Sequence, residues 1–107
     1  MDFAIRVARA EQATTLAVTG EVDLSTADEV AEAGLAALAA GATVVIVDLS
    51  GVTFLDSTGL AALVTINNRA RHDGAALIVA RPQPRIRQLF HITGLDAAFT
   101  ITEGGPG

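Results

Sequence analysis

The stretch Leu55-Asp56-Ser57-Thr58-Gly59 places a carboxylate and two hydroxyls between an apolar run and the start of an apolar helical pattern. A serine at such a junction is exposed, rigidly held and aimed out of a helix N-terminus, which leaves three chemistries open. The first is nucleophilic attack, as at the Gly-x-Ser-x-Gly elbow of hydrolases. Here Leu55 stands where the first glycine belongs. A nucleophile also needs a base within hydrogen-bond reach. His72 falls near the far end of the same predicted helix, roughly 20 Å away at about 1.5 Å per residue, and His91 falls at the end of a different one. The pattern argues against a serine hydrolase, and no enzymatic activity is expected. The second chemistry is a plain helix cap, in which Asp56 or Ser57 accepts a hydrogen bond from a free N–H, worth about 1 kcal/mol. The third is a phosphate acceptor. A phosphoserine adds about −1.5 to −2 charge, which the helix dipole and free N–H groups of a first turn tolerate. Beside Asp56, and near Glu21 and Asp23 if the topology permits, that charge would deepen a negative surface and repel a docked partner.

Composition narrows the setting. The chain has 107 residues, half of them apolar, with 4% aromatics, no Trp or Tyr, no Cys and a net charge of −5. This length suits one domain with a single core, built from Val, Leu, Ile and Ala. The acidic balance disfavours a nucleic-acid surface, which needs a basic stripe. The apolar runs fall far short of the roughly 20 residues of a membrane-spanning helix, and Met1-Asp2-Phe3-Ala4-Ile5-Arg6 does not read as a signal peptide. The absence of cysteine fits a cytoplasmic protein. No His or acidic cluster has metal-ligand spacing, so a metal site is not expected.

The elements that must hold Asp56 and Ser57 follow from periodicity. Phe3, Ile5 and Val7 alternate with polar or small residues and predict a strand, with Thr15 to Thr19 as its hairpin partner. Gly20 to Leu24 is expected as a loop, Ser25 as the N-cap of a helix with Asp28 as a weak capping-box partner, and Gly41 as its stop. Thr43 to Leu49 reads as a strand covered on both faces. Ser50 to Ser57 is expected as a loop, followed by a helix over Thr58 to Arg71, a strand over Ala75 to Ala80, a third helix opening at Pro84 and ending at Gly94, and a strand over Phe99 to Thr102. Gly104-Gly105-Pro106-Gly107 is expected to be a flexible tail, leaving 1–103 as the domain. The order β-β-α-β-α-β-α-β predicts an α/β fold, a mostly parallel sheet with an antiparallel N-terminal strand, packed against helices. Loops after the carboxyl ends of parallel strands gather on one edge. If the second and third strands are neighbours, Glu21, Asp23, Asp56 and Ser57 share one surface. Arg81, Arg85 and Arg87 form a basic cluster around the third helix and read as a solvated face.

These residues resemble a known family, the anti-sigma factor antagonists, small single-domain bacterial STAS proteins. Asp48-Leu49-Ser50-Gly51-Val52-Thr53-Phe54-Leu55-Asp56-Ser57-Thr58-Gly59-Leu60 resembles the family's strand, turn and Asp-Ser-(Ser/Thr)-Gly-Leu element. Gly20-Glu21-Val22-Asp23 with Thr26-Ala27 resembles its loop after the second strand, and Leu89-Phe90-His91-Ile92-Thr93-Gly94-Leu95 its segment near the end. The likeness spans roughly Phe3 to Thr102 and implies the STAS-type fold. It also implies that the unmodified chain binds an anti-sigma factor that is itself a serine kinase of the GHKL ATPase type, so releasing a sigma factor. The kinase phosphorylates the acceptor serine, here Ser57, the modified antagonist dissociates, and a PP2C-type phosphatase restores it. By the same resemblance Asp23 matches a position associated with partner contact and Asp56 flanks the acceptor; together with the shared loop edge, the expected partner-binding residues are Glu21, Asp23, Asp56, Ser57, Thr58 and Gly59. ATP and its magnesium would belong to the kinase, so the resemblance implies that this chain needs no cofactor. Ser57 is favoured over Thr58 as acceptor by the family pattern.

The chain departs from the family in two places. Ala61 stands where the family often has glycine, and the second helix carries Asn67, Asn68, Arg69 and Arg71 rather than a run of lysines. The resemblance also admits a different class of function, a constitutive scaffold subunit of a lipid-transport, stressosome or transporter-regulating complex, in which Ser57 would act only as a cap.

Overall fold

The computed structural model describes residues 2–103, and the expected tail at 104–107 lies outside them. The elements run in the expected order: β1 (Ala4–Ala10), β2 (Ala13–Val22), α1 (Ala27–Ala39), β3 (Val44–Leu55), α2 (Ser57–His72), β4 (Ala76–Ala80), α3 (Pro84–Thr93), a 3-10 turn over Leu95–Ala97, and β5 (Thr100–Thr102). Among the described residues they form one five-stranded sheet in the order β1-β2-β3-β4-β5. β1 is antiparallel to β2, and every other neighbouring pair is parallel. The α/β class and the antiparallel N-terminal strand are therefore as expected.

One face of the sheet carries the core. Leu16, Val18, Val45, Val47, Leu77 and Val79 project into it and are buried, as the two-residue period of a strand requires. α1 and α2 cover them, meeting where Gly34 of α1 lies against Ile66 of α2. α3 closes the core with Ile86 and Phe90, the Phe90 ring standing edge-on to Phe99 at 5.7 Å. Gly94, at φ 78°, ends α3 in the left-handed conformation that glycine adopts without strain. The expectation that Thr43 to Leu49 is covered on both faces is corrected. Val44, Ile46 and Ile78 on the opposite face are half-buried, because α1 and α2 sit together on the other side.

The two loops expected around the site are also corrected. β2 continues to Val22 and β3 to Leu55, so most of Gly20 to Leu24 and of Ser50 to Ser57 is strand. β4 stops opposite Asp48, but β3 runs on beside β2, taking up extra residues at shifts between Ala17 and Thr19 and between Gly20 and Glu21. Such bulges bend and twist a strand. Ser50, Gly51 and Thr53, which look like turn residues in the sequence, are the bulged part of a long strand.

A pair of long-range bonds pins this bend. The buried Asp48 carboxylate accepts the Ser50 N–H at 2.9 Å and the Arg81 guanidinium. Gln83 Nε2 donates to the Ser50 carbonyl at 3.0 Å. Arg81 is held at φ 53°, a strained backbone for a side chain of this size, and its N–H donates to the Thr102 carbonyl at 2.6 Å. Burial alone pushes the Asp48 carboxyl upward, but the Arg81 and Ser50 hydrogen bonds outweigh it and hold the group below its ordinary 3.8. A depressed folded value means that this contribution is present above about pH 4 and is lost as pH falls through the folded pKa. Asp48→Asn keeps an acceptor for Ser50 and removes the charge facing Arg81. It should lower stability by about 1–2 kcal/mol at pH 7, with the gap to the parent narrowing at pH 3. Urea unfolding at the two pH values measures both.

Candidate functional site

The junction between β3 and α2 is a single residue, Asp56, in extended conformation. Its N–H donates to the Val22 carbonyl at 3.2 Å, which ties the junction to the end of β2. Its Oδ1 accepts from Thr58 N–H at 2.9 Å, Gly59 N–H at 3.2 Å and the Thr58 hydroxyl at 2.5 Å. Asp56 is thus the N-cap of α2, satisfying donors that an open helix end leaves free. The Thr58 hydroxyl bond, then the Gly59 and Thr58 backbone N–H groups, lower its pKa against the opposing effect of burial. A carboxylate so engaged is a poor base.

Ser57 opens α2 and is exposed. Among the described residues its hydroxyl has no hydrogen-bond partner, whereas the half-buried Thr58 donates its own to Asp56. The two hydroxyls, equivalent in the sequence, therefore differ sharply in freedom. Among the described residues no general base is poised on Ser57. His72 sits in the last turn of α2, and His91 lies in the last turn of α3 with its Nδ1 2.9 Å from Asp96 Oδ2.

Gly59 shows why α2 begins where it does. A Cβ there would sit 2.8 Å from Leu55 Cγ and 3.0 Å from Val22 Cγ1, with the Val22 carbonyl oxygen at 3.2 Å. Only a bare backbone lets the first turn press against the ends of β2 and β3. Gly59→Ala should cost about 1–2 kcal/mol, the clash exceeding the gain in helix propensity. Thermal unfolding followed by far-ultraviolet circular dichroism checks this.

The end of β2 supplies the second part of the site. Glu21 pairs with Phe54 and Val22 with Leu55 across the β2–β3 ladder, so the residues after both strands emerge on one edge. Asp23 Oδ1 accepts the Ser25 N–H at 3.0 Å and the Ser25 hydroxyl at 2.7 Å. These bonds, the hydroxyl first, lower the Asp23 pKa, while the nearby Asp56 charge opposes the effect. The Thr26 hydroxyl accepts the Asp23 N–H at 3.0 Å and donates to the Glu21 carbonyl at 2.9 Å. This corrects the expectation for Ser25. Thr26 occupies the N-cap position of α1 without a side-chain cap, and Ser25 is turned back onto Asp23 in an Asx-turn. Asp28 is then no capping-box partner. Glu21, Asp23, Asp56, Ser57, Thr58 and Gly59 do lie together, on an acidic edge.

Two neighbours of the edge were missed in the sequence. Leu24 is 81% exposed and Phe54 46% exposed, so both offer apolar surface beside the charged edge. Leu24 shares a shallow depression between α1 and α2 with Thr58 and with Ala61, the residue that replaces the usual glycine. The available signal was Leu24 standing between Asp23 and Ser25 in a polar turn. Phe54 gave none, because its strand register depends on the bulges. The basic cluster also separates in space. Arg81 pairs with Asp48 and Arg87 with Glu103, leaving Arg85 without an acidic partner among the described residues.

Comparison with known proteins identifies the family and the fold. The family model described as "Mlab, STAS domain" matches residues 5–103. The anti-sigma-F factor antagonist RsfB of Mycobacterium tuberculosis is 33% identical over 97 residues, covering 91% of this chain and 79% of the relative. The anti-sigma-B factor antagonist of Staphylococcus epidermidis is 33% identical over 87 residues, 81% of each chain. The crystal structure of an anti-sigma factor antagonist from Mycobacterium paratuberculosis superposes with a TM-score of 0.84 at 29% identity, covering 94% of this chain and 86% of that one. The chain belongs to the STAS domain family, among the anti-sigma factor antagonists.

Proposed function

We propose that the chain is a phosphorylation-controlled binding protein that, in its unmodified state, sequesters an anti-sigma factor and so frees a sigma factor. The anti-sigma factor would be a serine kinase of the GHKL type, acting in the cytoplasm. It would bring the ATP and magnesium, transfer the γ-phosphoryl group to the Ser57 oxygen and release ADP, with the hydroxyl proton passing to a kinase base. A PP2C-type phosphatase would hydrolyse the ester. The observation that carries this reading is the difference between the two hydroxyls. Ser57 is exposed and uncommitted, while Thr58 is engaged by the carboxylate that caps the helix.

The physical logic rests on where the charge arrives. At the first position of α2 a dianion meets the positive end of a helix dipole, so the fold tolerates it. The same dianion joins Glu21, Asp23 and Asp56 on a surface that a partner must desolvate. Leu24 and Phe54 supply apolar contact area flanking that edge. The named relatives, anti-sigma factor antagonists of comparable length, support the same partner class.

Phosphosite mapping tests the assignment. After incubation with the cognate kinase and ATP, mass spectrometry should find one phosphate, on Ser57, and Ser57→Ala should abolish it while Thr58→Val does not. Phosphate found on Thr58 instead would overturn the residue assignment.

A further inference from the structure

We propose that the cleft between the end of β3 and α3 is a binding site for a small amphipathic carboxylate, an apolar chain or ring bearing one anionic head, with Arg85 as the head-group ligand. The cleft has a volume of about 420 Å³ and its walls include Phe54, Leu55, Ile86, Leu89 and Ile92, with Arg85 among them. That volume falls in the range of small-molecule sites, which are apolar with few polar groups to orient the ligand.

Two observations select the chemistry. Phe54 is 46% and Ile92 70% exposed, so apolar surface at the cleft is left to water. Arg85 is the one charged residue lining the cleft and, like Arg6, Arg9 and Arg71 but unlike Arg81 and Arg87, has no acidic partner among the described residues. An unpaired guanidinium beside apolar walls complements a carboxylate, which it binds through paired N–H donors. A neutral ligand would leave that cation unmatched, and a cationic one would be repelled. The cleft contains none of Glu21, Asp23, Asp56 or Ser57 and shares only Phe54 with the proposed partner surface, so carboxylate binding can be tested without the phosphorylation reading.

The chain lacks Trp and Tyr, so the test uses methyl-labelled protein followed by NMR. Decanoate, decanol and decyltrimethylammonium are titrated below their aggregation concentrations into the full chain and into Arg85→Gln and Arg87→Gln variants. Decanoate should give saturable shifts at the methyls of Leu55, Ile86, Leu89 and Ile92, and should bind more tightly than the other two probes. Arg85→Gln should weaken decanoate by about tenfold or more, the worth of a charged hydrogen bond, and leave decanol unchanged. Arg87→Gln should leave both unchanged. The proposal is overturned by an absence of saturable shifts, by shifts centred on other methyls, by equal binding of decanoate and decanol, or by equal effects of the two arginine substitutions.

Discussion

A Ser57→Asp variant should lose its anti-sigma partner, while Ser57→Ala keeps it and no longer responds to the kinase. An added charge that a docked partner must desolvate without matching it costs several kcal/mol, so the aspartate should weaken binding by about 100-fold or more. A single negative charge understates the effect of a phosphate, which carries about −1.5 to −2. The fold should not be the cause. Ser57 is exposed at the first position of α2, where a negative charge is favourable by about 0.3–1 kcal/mol. Isothermal titration with the purified partner gives the binding ratio, and thermal unfolding of the same samples separates docking from stability. Equal binding of Ser57→Asp and parent would remove the repulsion mechanism and favour the constitutive scaffold.

The largest expected loss of stability comes from Phe90→Ala. The chain has four phenylalanines and no Trp or Tyr. Phe90 is fully buried, and it stands edge-on to Phe99 with ring planes at 84°. Removing a buried ring costs about 3–5 kcal/mol through lost transfer energy and the cavity left behind. Against a typical total of about 5–15 kcal/mol for a domain, this brings the protein close to unfolding at physiological temperature. Phe54→Ala, which removes a half-exposed ring, should cost far less. Urea denaturation of the two variants side by side makes the comparison, and a Phe90→Ala loss below about 1 kcal/mol would contradict the account of how α3 is anchored.

Much of this architecture could be read along the chain. Strand and helix periods gave the element order, Pro84 and Gly94 bounded α3, and the Val-rich run after Gly41 marked the central strand. The position of Ser57, the proposed acceptor, at a helix start beside the Asp56 carboxylate was legible because a strand, a polar break and a helix start fall within a few residues. What sequence could not give depends on neighbours distant along the chain. β3 extends to Leu55 because β2 runs beside it, a fact about pairing that local turn propensity of Ser50 and Gly51 contradicts. Arg81 looked like a surface charge until the fold set it against Asp48. Ser25 looked like a cap because capping residues are recognised by type, whereas the Asp23 carboxylate competes for the same N–H and hydroxyl. Within the site, the freedom of Ser57 relative to Thr58 appears only once the Asp56 side chain has a position.

The most direct measurement compares the unmodified chain with the same chain carrying one phosphate on Ser57, each titrated against its anti-sigma partner after circular dichroism has shown both to be folded. Tight binding by the unmodified form and a loss of about 100-fold or more in the modified one is the predicted result. Equal affinities, with both forms folded, would contradict it.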